Sequence, residues 1–223
     1  MLGNGSVWLS ELVPGIGSRS ARKVKEKLQQ VNDWSKAHDS ELIRQTRAGN
    51  QKAFEILVRR YQKLVYNVVY QMVRAHEPAA DLTQETFLKA YRALATFQID
   101  RSFKPWLLRI ATNTAINSLR DSNKKLTSLE ELLEQNPQAE PASNEDLETE
   151  VEWRVTQHML FEALGAIPLR QREMFVLRYQ HDLSYEEISE VTGVTVSSVK
   201  SLLFRARDML RKMLKEQMEF TST

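Results

Sequence analysis

Hydrophobic positions recur along this chain with helical spacing. Between Ala53 and Arg74 they fall at Phe54, Leu57, Val58, Tyr61, Leu64, Val65, Val68, Val69 and Met72. Gaps of three and four residues put such a set on one face of a long helix. Upstream, Asp39 or Ser40 offers a cap for a helix through Arg47, and Gly49-Asn50 stops it. Downstream, Pro78 suits the first turn of a helix through Leu94 that carries Leu82, Phe87, Leu88, Tyr91 and Leu94. A break follows at Thr96–Ser102, and Pro105 then opens a helix running to about Arg120. Four helices with short connections predict a bundle over 38–122. A second helical unit is predicted over 151–219. Val155, Met159, Phe161, Leu164 and Ile167 line its first helix, and Pro168 starts the next, with Met174, Phe175 and Leu177. No long alternating pattern predicts a strand, and no internal repeat is visible. The predicted fold is all-α, in two domains.

The last segment carries a sharper pattern. Ser184 is a good N-cap, and Glu187 three residues later completes a capping box. Ile188 and Val191 face inward, Gly193 permits a tight turn, and Val194 and Val199 close a second helix onto the first. Helix, glycine-containing turn and a helix rich in Ser, Lys and Arg make a helix-turn-helix. At 100° per residue, Val199, Leu203, Ala206 and Leu210 share one arc, and Ser197, Lys200, Ser201, Phe204 and Arg205 lie opposite. Lys and Arg reach phosphates or guanine edges, Ser reaches either, and an aromatic can touch a thymine methyl. Phe204 fits either that contact or packing against a neighbouring helix.

Charge divides the chain in the same places. From Leu126 to Trp153 there are nine acids and no Lys or Arg. Removing those nine negative charges from a net charge of +2 leaves the remainder at +11, concentrated at Arg19–Lys27, Arg101–Lys125 and Lys200–Lys215. Two basic bodies thus flank an acidic connector, placed at 123–150, which also holds Pro137 and Pro141 and has room for one helical turn at Ser128–Leu133. Residues 1–37 form an extension. Met1–Ser18 holds four of the seven glycines, and Arg19–Trp34 has a basic amphipathic pattern with Val24, Leu28 and Val31 on one side.

Composition then removes several classes of function. The 223 residues fit one large domain or two small ones. With no cysteine there is no disulfide, thiol nucleophile or cysteine-ligated metal. The four histidines lack ligand spacing, no glycine-rich phosphate loop can be written, and no nucleophile–base–orienter set is evident. No cofactor, no metal and no enzymatic activity are expected. Apolar runs are too short to insert in a membrane, and the start lacks a secretory signal, so a cytoplasmic location is expected.

The predicted helix after Ser102 offers a second candidate surface. Trp106, Arg109, Asn113, Asn117 and Arg120 fall within roughly 80° of one another. Amides hydrogen-bond base edges, arginines neutralise phosphate, and tryptophan stacks on an unpaired base. Phe97, Arg101, Phe103 and Lys104 add aromatics and cations just before it. Aromatics interleaved with cations suit single-stranded nucleic acid, although Trp106 fits a core position equally well.

These segments resemble a known family. The run Asp81-Leu-Thr-Gln-Glu-Thr-Phe-Leu-Lys-Ala-Tyr91, followed by Phe103-Lys-Pro-Trp-Leu-Leu-Arg-Ile-Ala-Thr-Asn113, resembles the core domain of bacterial sigma factors. Leu183-Ser-Tyr-Glu-Glu-Ile188 with Val199-Lys-Ser-Leu-Leu-Phe-Arg-Ala-Arg207 resembles their C-terminal helix-turn-helix domain. Two such blocks joined by a short linker are similar to the extracytoplasmic-function group of the sigma-70 family, over about residues 39–217. The resemblance implies core RNA polymerase and promoter DNA as partners. Asp81, Gln84, Glu85, Phe87 and Lys89 would meet the beta-prime clamp helices. Phe97, Arg101, Lys104, Trp106, Arg109, Asn113, Asn117 and Arg120 would read and open the −10 element. Ser197, Lys200, Ser201, Phe204 and Arg205 would read the −35 duplex. The beta subunit would be a further polymerase partner, the acidic linker would thread into polymerase toward the RNA exit path, and an anti-sigma protein would cover apolar surface such as Phe87 and Leu88. Leu202 departs from relatives that carry a polar residue there. A competing reading is a one-component helix-turn-helix regulator that binds duplex DNA as a dimer. The Trp-Arg-Asn-Asn-Arg stripe argues against it, because a ligand domain needs no second nucleic-acid face.

Overall fold

The computed structural model describes residue 34 and residues 36–126 and 147–221, with side chains at 34, 36–122 and 157–216. The acidic block, the turn expected at Ser128–Leu133 and all but the last residue of the helix expected at Arg19–Trp34 lie outside the described residues. The chain divides into two units, through Leu57 and from Val58 onward.

In the first unit, α1 spans Asp39–Arg47. Its cap is His38, one residue before the expected Asp39. His38 has extended backbone, and its Nδ1 accepts the Ser40 N–H at 3.4 Å. Asp39 and Glu41 instead occupy the first turn, where carboxylates complement the helix dipole. Gly49 follows with φ +91°, a left-handed conformation that ends the helix as expected. The next helix, α2 (Gln51–Val73), continues into the second unit.

There Val65, Val68, Val69 and Met72 of α2 are buried. A left-handed Arg74 turns the chain into α3, His76–Ala93. A single 3-10 turn, Leu94–Thr96, and a loop lead to α4, Phe103–Leu126, which packs on α3. Both helices begin two residues before the expected proline. Pro78 and Pro105 are each third in their helix, where a backbone N–H has no intrahelical acceptor to lose.

After the linker come α5 (Leu147–Ala166) and α6 (Leu169–Phe175), the latter continued by a π turn over Val176–Gln180. Then follow α7 (Tyr185–Thr192) and α8 (Val196–Thr221). Both α4 and α5 reach into the range assigned above to the connector. The long α8 packs on α5, α6 and α7. Ala163, Leu164 and Ile167 meet Ala206 and Leu210 in a core rimmed by Leu160, Phe175, Met209 and Met213. Among the described residues there is no strand. The fold is all-α with two helical domains, and α4 of the first packs against α7 of the second.

Candidate nucleic-acid interface

The second helix of the helix-turn-helix owes its position to side chains before it. Ser184 Oγ accepts the Glu187 N–H at 3.1 Å, and the Glu187 carboxylate accepts the Ser184 N–H at 2.8 Å, so the capping box forms. Gly193 ends α7 in the left-handed region at φ +73°. Ser189 Oγ donates to the Val194 carbonyl at 2.6 Å, which ties the turn back to α7. Thr195 Oγ1 then accepts the Ser198 N–H at 3.3 Å at the start of α8.

With α8 so placed, Val199, Leu203, Ala206 and Leu210 are buried, while Ser197, Lys200, Ser201, Phe204 and Arg205 are exposed. Phe204 is 67% exposed, which decides its orientation: the ring faces solvent rather than the core. Lys200 Nζ lies 5.7 Å from the Tyr185 ring centroid and Arg178 lies 5.1 Å from it on the same aromatic. One face thus combines two hydroxyls, two cations and an aromatic, the groups that duplex contacts require.

The α4 stripe is also open. Arg109, Asn113, Asn117 and Arg120 are exposed, and Arg120 donates to Asn117 Oδ1 at 3.0 Å. Trp106 is half-buried. Its ring sits 4.9 Å from Phe97 and 5.5 Å from Phe103, centroid to centroid. Phe97 and Phe103 are themselves buried and meet edge to face, with Tyr61 against Phe103. The expectation of a direct base contact from Phe97 is therefore corrected. Its ring supports Trp106 from below, because core packing removes more apolar surface from water than an open loop would.

The two remaining −10 candidates already have partners in the second domain. Arg101 pairs with Glu190 at 3.3 Å, and Lys104 Nζ donates to the His181 carbonyl at 3.0 Å. The His181 ring is largely buried, and its Nε2 meets no hydrogen-bond partner among the described residues. Burial first, then the Lys104 charge, depress its pKa to about 4, against a weaker pull from Asp182.

On α3, Asp81, Gln84 and Glu85 are exposed, and Lys89 bridges Glu85 at 2.7 Å and Thr114 at 3.2 Å. Phe87 is buried, so its expected role as partner surface is corrected. The apolar side chains open to solvent are its neighbour Leu88, and Tyr91. Leu88 carried a signal in the helical pattern. Glu190, His181 and the residues that join α2 to α5 carried none, because their partners are far away in sequence.

Among the described residues no group of acids and histidines could hold a metal ion, and no helix is long and apolar enough to cross a membrane. The sigma-70 region 2 family matches residues 57–125, which include the α4 stripe. The sigma-70 region 4 family matches residues 157–210, which include the helix-turn-helix. The ECF RNA polymerase sigma-E factor of Haemophilus influenzae is 32% identical over 81% of this chain and 97% of its own length. That of Escherichia coli is 37% identical over 77% of this chain and 92% of its own. Among solved structures, CnrH in complex with the cytosolic domain of CnrY aligns with a TM-score of 0.59 at 26% identity, over 80% of this chain and 97% of that one. With both regions present in order, and relatives aligned over nearly their whole length, the chain belongs to the ECF sigma factors of the sigma-70 family.

Proposed function

We propose that this sigma factor divides promoter recognition between its two exposed stripes. The α8 face (Ser197, Lys200, Ser201, Phe204, Arg205) takes the −35 duplex. The α4 face (Trp106, Arg109, Asn113, Asn117, Arg120), with Arg101 and Lys104 at its head, captures unpaired −10 bases. Core RNA polymerase docks on α3 at Asp81, Gln84, Glu85 and Lys89, with Leu88 and Tyr91 supplying apolar contact. The observation that carries the reading is the second, exposed amide-and-arginine stripe on α4, for which a duplex-only regulator has no use.

Opening a duplex costs roughly 1.4 kcal/mol per base-pair step, so a protein that melts DNA must capture the bases it releases. The stripe meets that cost by binding alone, and no catalysis is proposed. Residues 38–122 and 151–219 act as the two promoter-reading domains, 123–150 as an acidic connector, and 1–37 as an accessory arm. An anti-sigma protein regulates the factor in the cytoplasm. The complex named for CnrH supports this, as does the open apolar surface at Leu88, Tyr91 and Phe204.

Two substitutions test the division. Asn113→Ala removes a base-edge contact worth roughly 1–3 kcal/mol of discrimination. It impairs initiation on duplex promoters and is partly rescued by a template pre-melted at −10. Lys200→Ala weakens closed-complex binding, lowers its salt dependence by about one phosphate, and gains little from pre-melting. Equal rescue of both variants, or normal initiation by Asn113→Ala, refutes the assignment.

A further inference from the structure

Four cations at the joint between the domains are spent on distant partners. Arg101 meets Glu190, Lys104 the His181 carbonyl, Arg74 Glu162 and Arg172 the Met72 carbonyl. Arg120 is different. Its Nη2 donates to Asn117 Oδ1 at 3.0 Å, one turn back on the same exposed face of α4. Both partners belong to the stripe assigned to unpaired bases, so this bond decides what the stripe can offer them.

The chemistry of the pair is one-sided. A guanidinium has five N–H donors and no acceptor, so the carboxamide atom that faces it must be the oxygen. The planar carboxamide carries its oxygen and its nitrogen on opposite sides. With Oδ1 turned to Arg120, the Nδ2 of Asn117 is the group left for a base, and Arg120 keeps further N–H groups beside it. This end of the stripe therefore presents donors.

Asn113, one turn earlier, is not tied in this way. It is exposed and meets no hydrogen-bond partner among the described residues, so it offers a donor and an acceptor side by side. Its neighbours Thr112 and Thr114 are buried and already bonded, to the Arg109 carbonyl and to Lys89. The two asparagines are four residues apart, about 6 Å along the axis. Successive bases of one strand are about 3.4 Å apart in a duplex, so the two amides meet different bases. Adenine sets an acceptor, N7, beside a donor, N6, which suits an amide offering both groups. Guanine sets two acceptors, N7 and O6, side by side, which suits donors alone.

We propose that Arg120 sets a base preference by holding Asn117 as a donor. The base that meets Asn117 and Arg120 is read as guanine in preference to adenine, whereas Asn113 reads another base with a donor and an acceptor together. The inference rests on the assignment of the α4 stripe to unpaired −10 DNA. It separates Arg120 from a phosphate cation, because a phosphate contact carries no sequence information.

The test uses the full chain with core polymerase on templates pre-melted at −10, with each of the four bases placed in turn at every −10 position. Asn117→Asp keeps an acceptor for Arg120 and withdraws the outward N–H. The position at which guanine loses its advantage in that variant is the base that Asn117 reads. There the parent favours guanine over adenine about five-fold or more. Arg120→Met releases Oδ1, and adenine gains about five-fold or more relative to guanine at that position alone. The position located by Asn113→Ala keeps its preference in Arg120→Met. Without DNA, the side-chain amide resonances of Asn117 move in Arg120→Met, and those of Asn113 stay. All the substituted residues are exposed, and each variant keeps the parent's helicity. Equal weakening of all four bases by Arg120→Met, with a smaller salt dependence, makes Arg120 a phosphate cation and overturns the inference. A preference for adenine in the parent at the Asn117 position overturns it, as does an Asn117→Asp variant with no altered position. Unmoved Asn117 resonances overturn it independently of any DNA. A parent indifferent to the base at every −10 position refutes the −10 reading beneath it, and the resonances still decide whether Arg120 holds Asn117.

Discussion

Replacing His181 by Gln separates one buried imidazole from every other acid-sensitive group in the joint. Its pKa in the folded chain is about 4, against an ordinary 6.5, because burial and then the Lys104 charge disfavour the imidazolium. A base whose folded pKa is depressed takes up its proton first in the unfolded chain. The stability present above about pH 6.5 is therefore lost as pH falls toward about 4. At about pH 5, nearly all unfolded chains carry the proton and roughly one folded chain in ten does, a difference of about 2 kcal/mol. Glu173 works in the opposite direction. Burial raises its carboxyl pKa despite Arg170 and Thr112, so its contribution is present below about 4.5 and is lost as pH rises through the folded value. The parent's pH curve mixes the two effects, whereas the difference between parent and His181→Gln isolates the first. Urea unfolding followed by helicity, at about pH 7.5 and about pH 5, measures that difference. The parent should lose about 2 kcal/mol relative to the variant on acidification. A gap that is the same at both pH values, within about 0.5 kcal/mol, would show that the ring is not held neutral by its surroundings.

Two local features of the helix-turn-helix give further tests. Ser184→Ala removes the acceptor for the Glu187 N–H and should cost about 1 kcal/mol of thermal stability in the second domain, while Ser184→Asp should recover most of it. Gly193→Ala meets no atom within 4 Å, so its cost is purely conformational, about 1–2 kcal/mol from the left-handed φ. A much larger loss in calorimetry would reveal a packing constraint at that turn, and no loss would mean the turn rearranges.

Legibility in the sequence followed the range of the interaction. The capping box at Ser184 and Glu187, the left-handed Gly193 and the inward set Val199, Leu203, Ala206 and Leu210 are local patterns, and each was readable in advance. The outward set on α8 followed by elimination, except that Phe204 needed the structure to choose between solvent and core. Phe87 and Leu88 show where periodicity stops. Adjacent apolar residues on one helix both fit the pattern, and only the position of α4 against α3 decides which is buried. The same holds for Phe97, an aromatic among cations that chemistry alone would send to a base and that core packing claims instead. His38 displaced Asp39 as a cap because an imidazole nitrogen can accept a first-turn N–H, here that of Ser40.

Least legible were the contacts between the domains. Arg101 and Lys104 advertise affinity for negative or polar oxygen, and residue type cannot distinguish a phosphate from the Glu190 carboxylate or the His181 carbonyl. A cation that bound only phosphate could not be held in reserve by the chain itself. Exposed pairs such as Arg101–Glu190 are individually weak, about 0–1 kcal/mol, so a polyanion can displace them. The more buried Arg74 and Arg172 contacts touch no DNA-reading residue, so phosphate does not compete for them directly. Those two arginines therefore hold the domains against each other through contacts that phosphate leaves untouched.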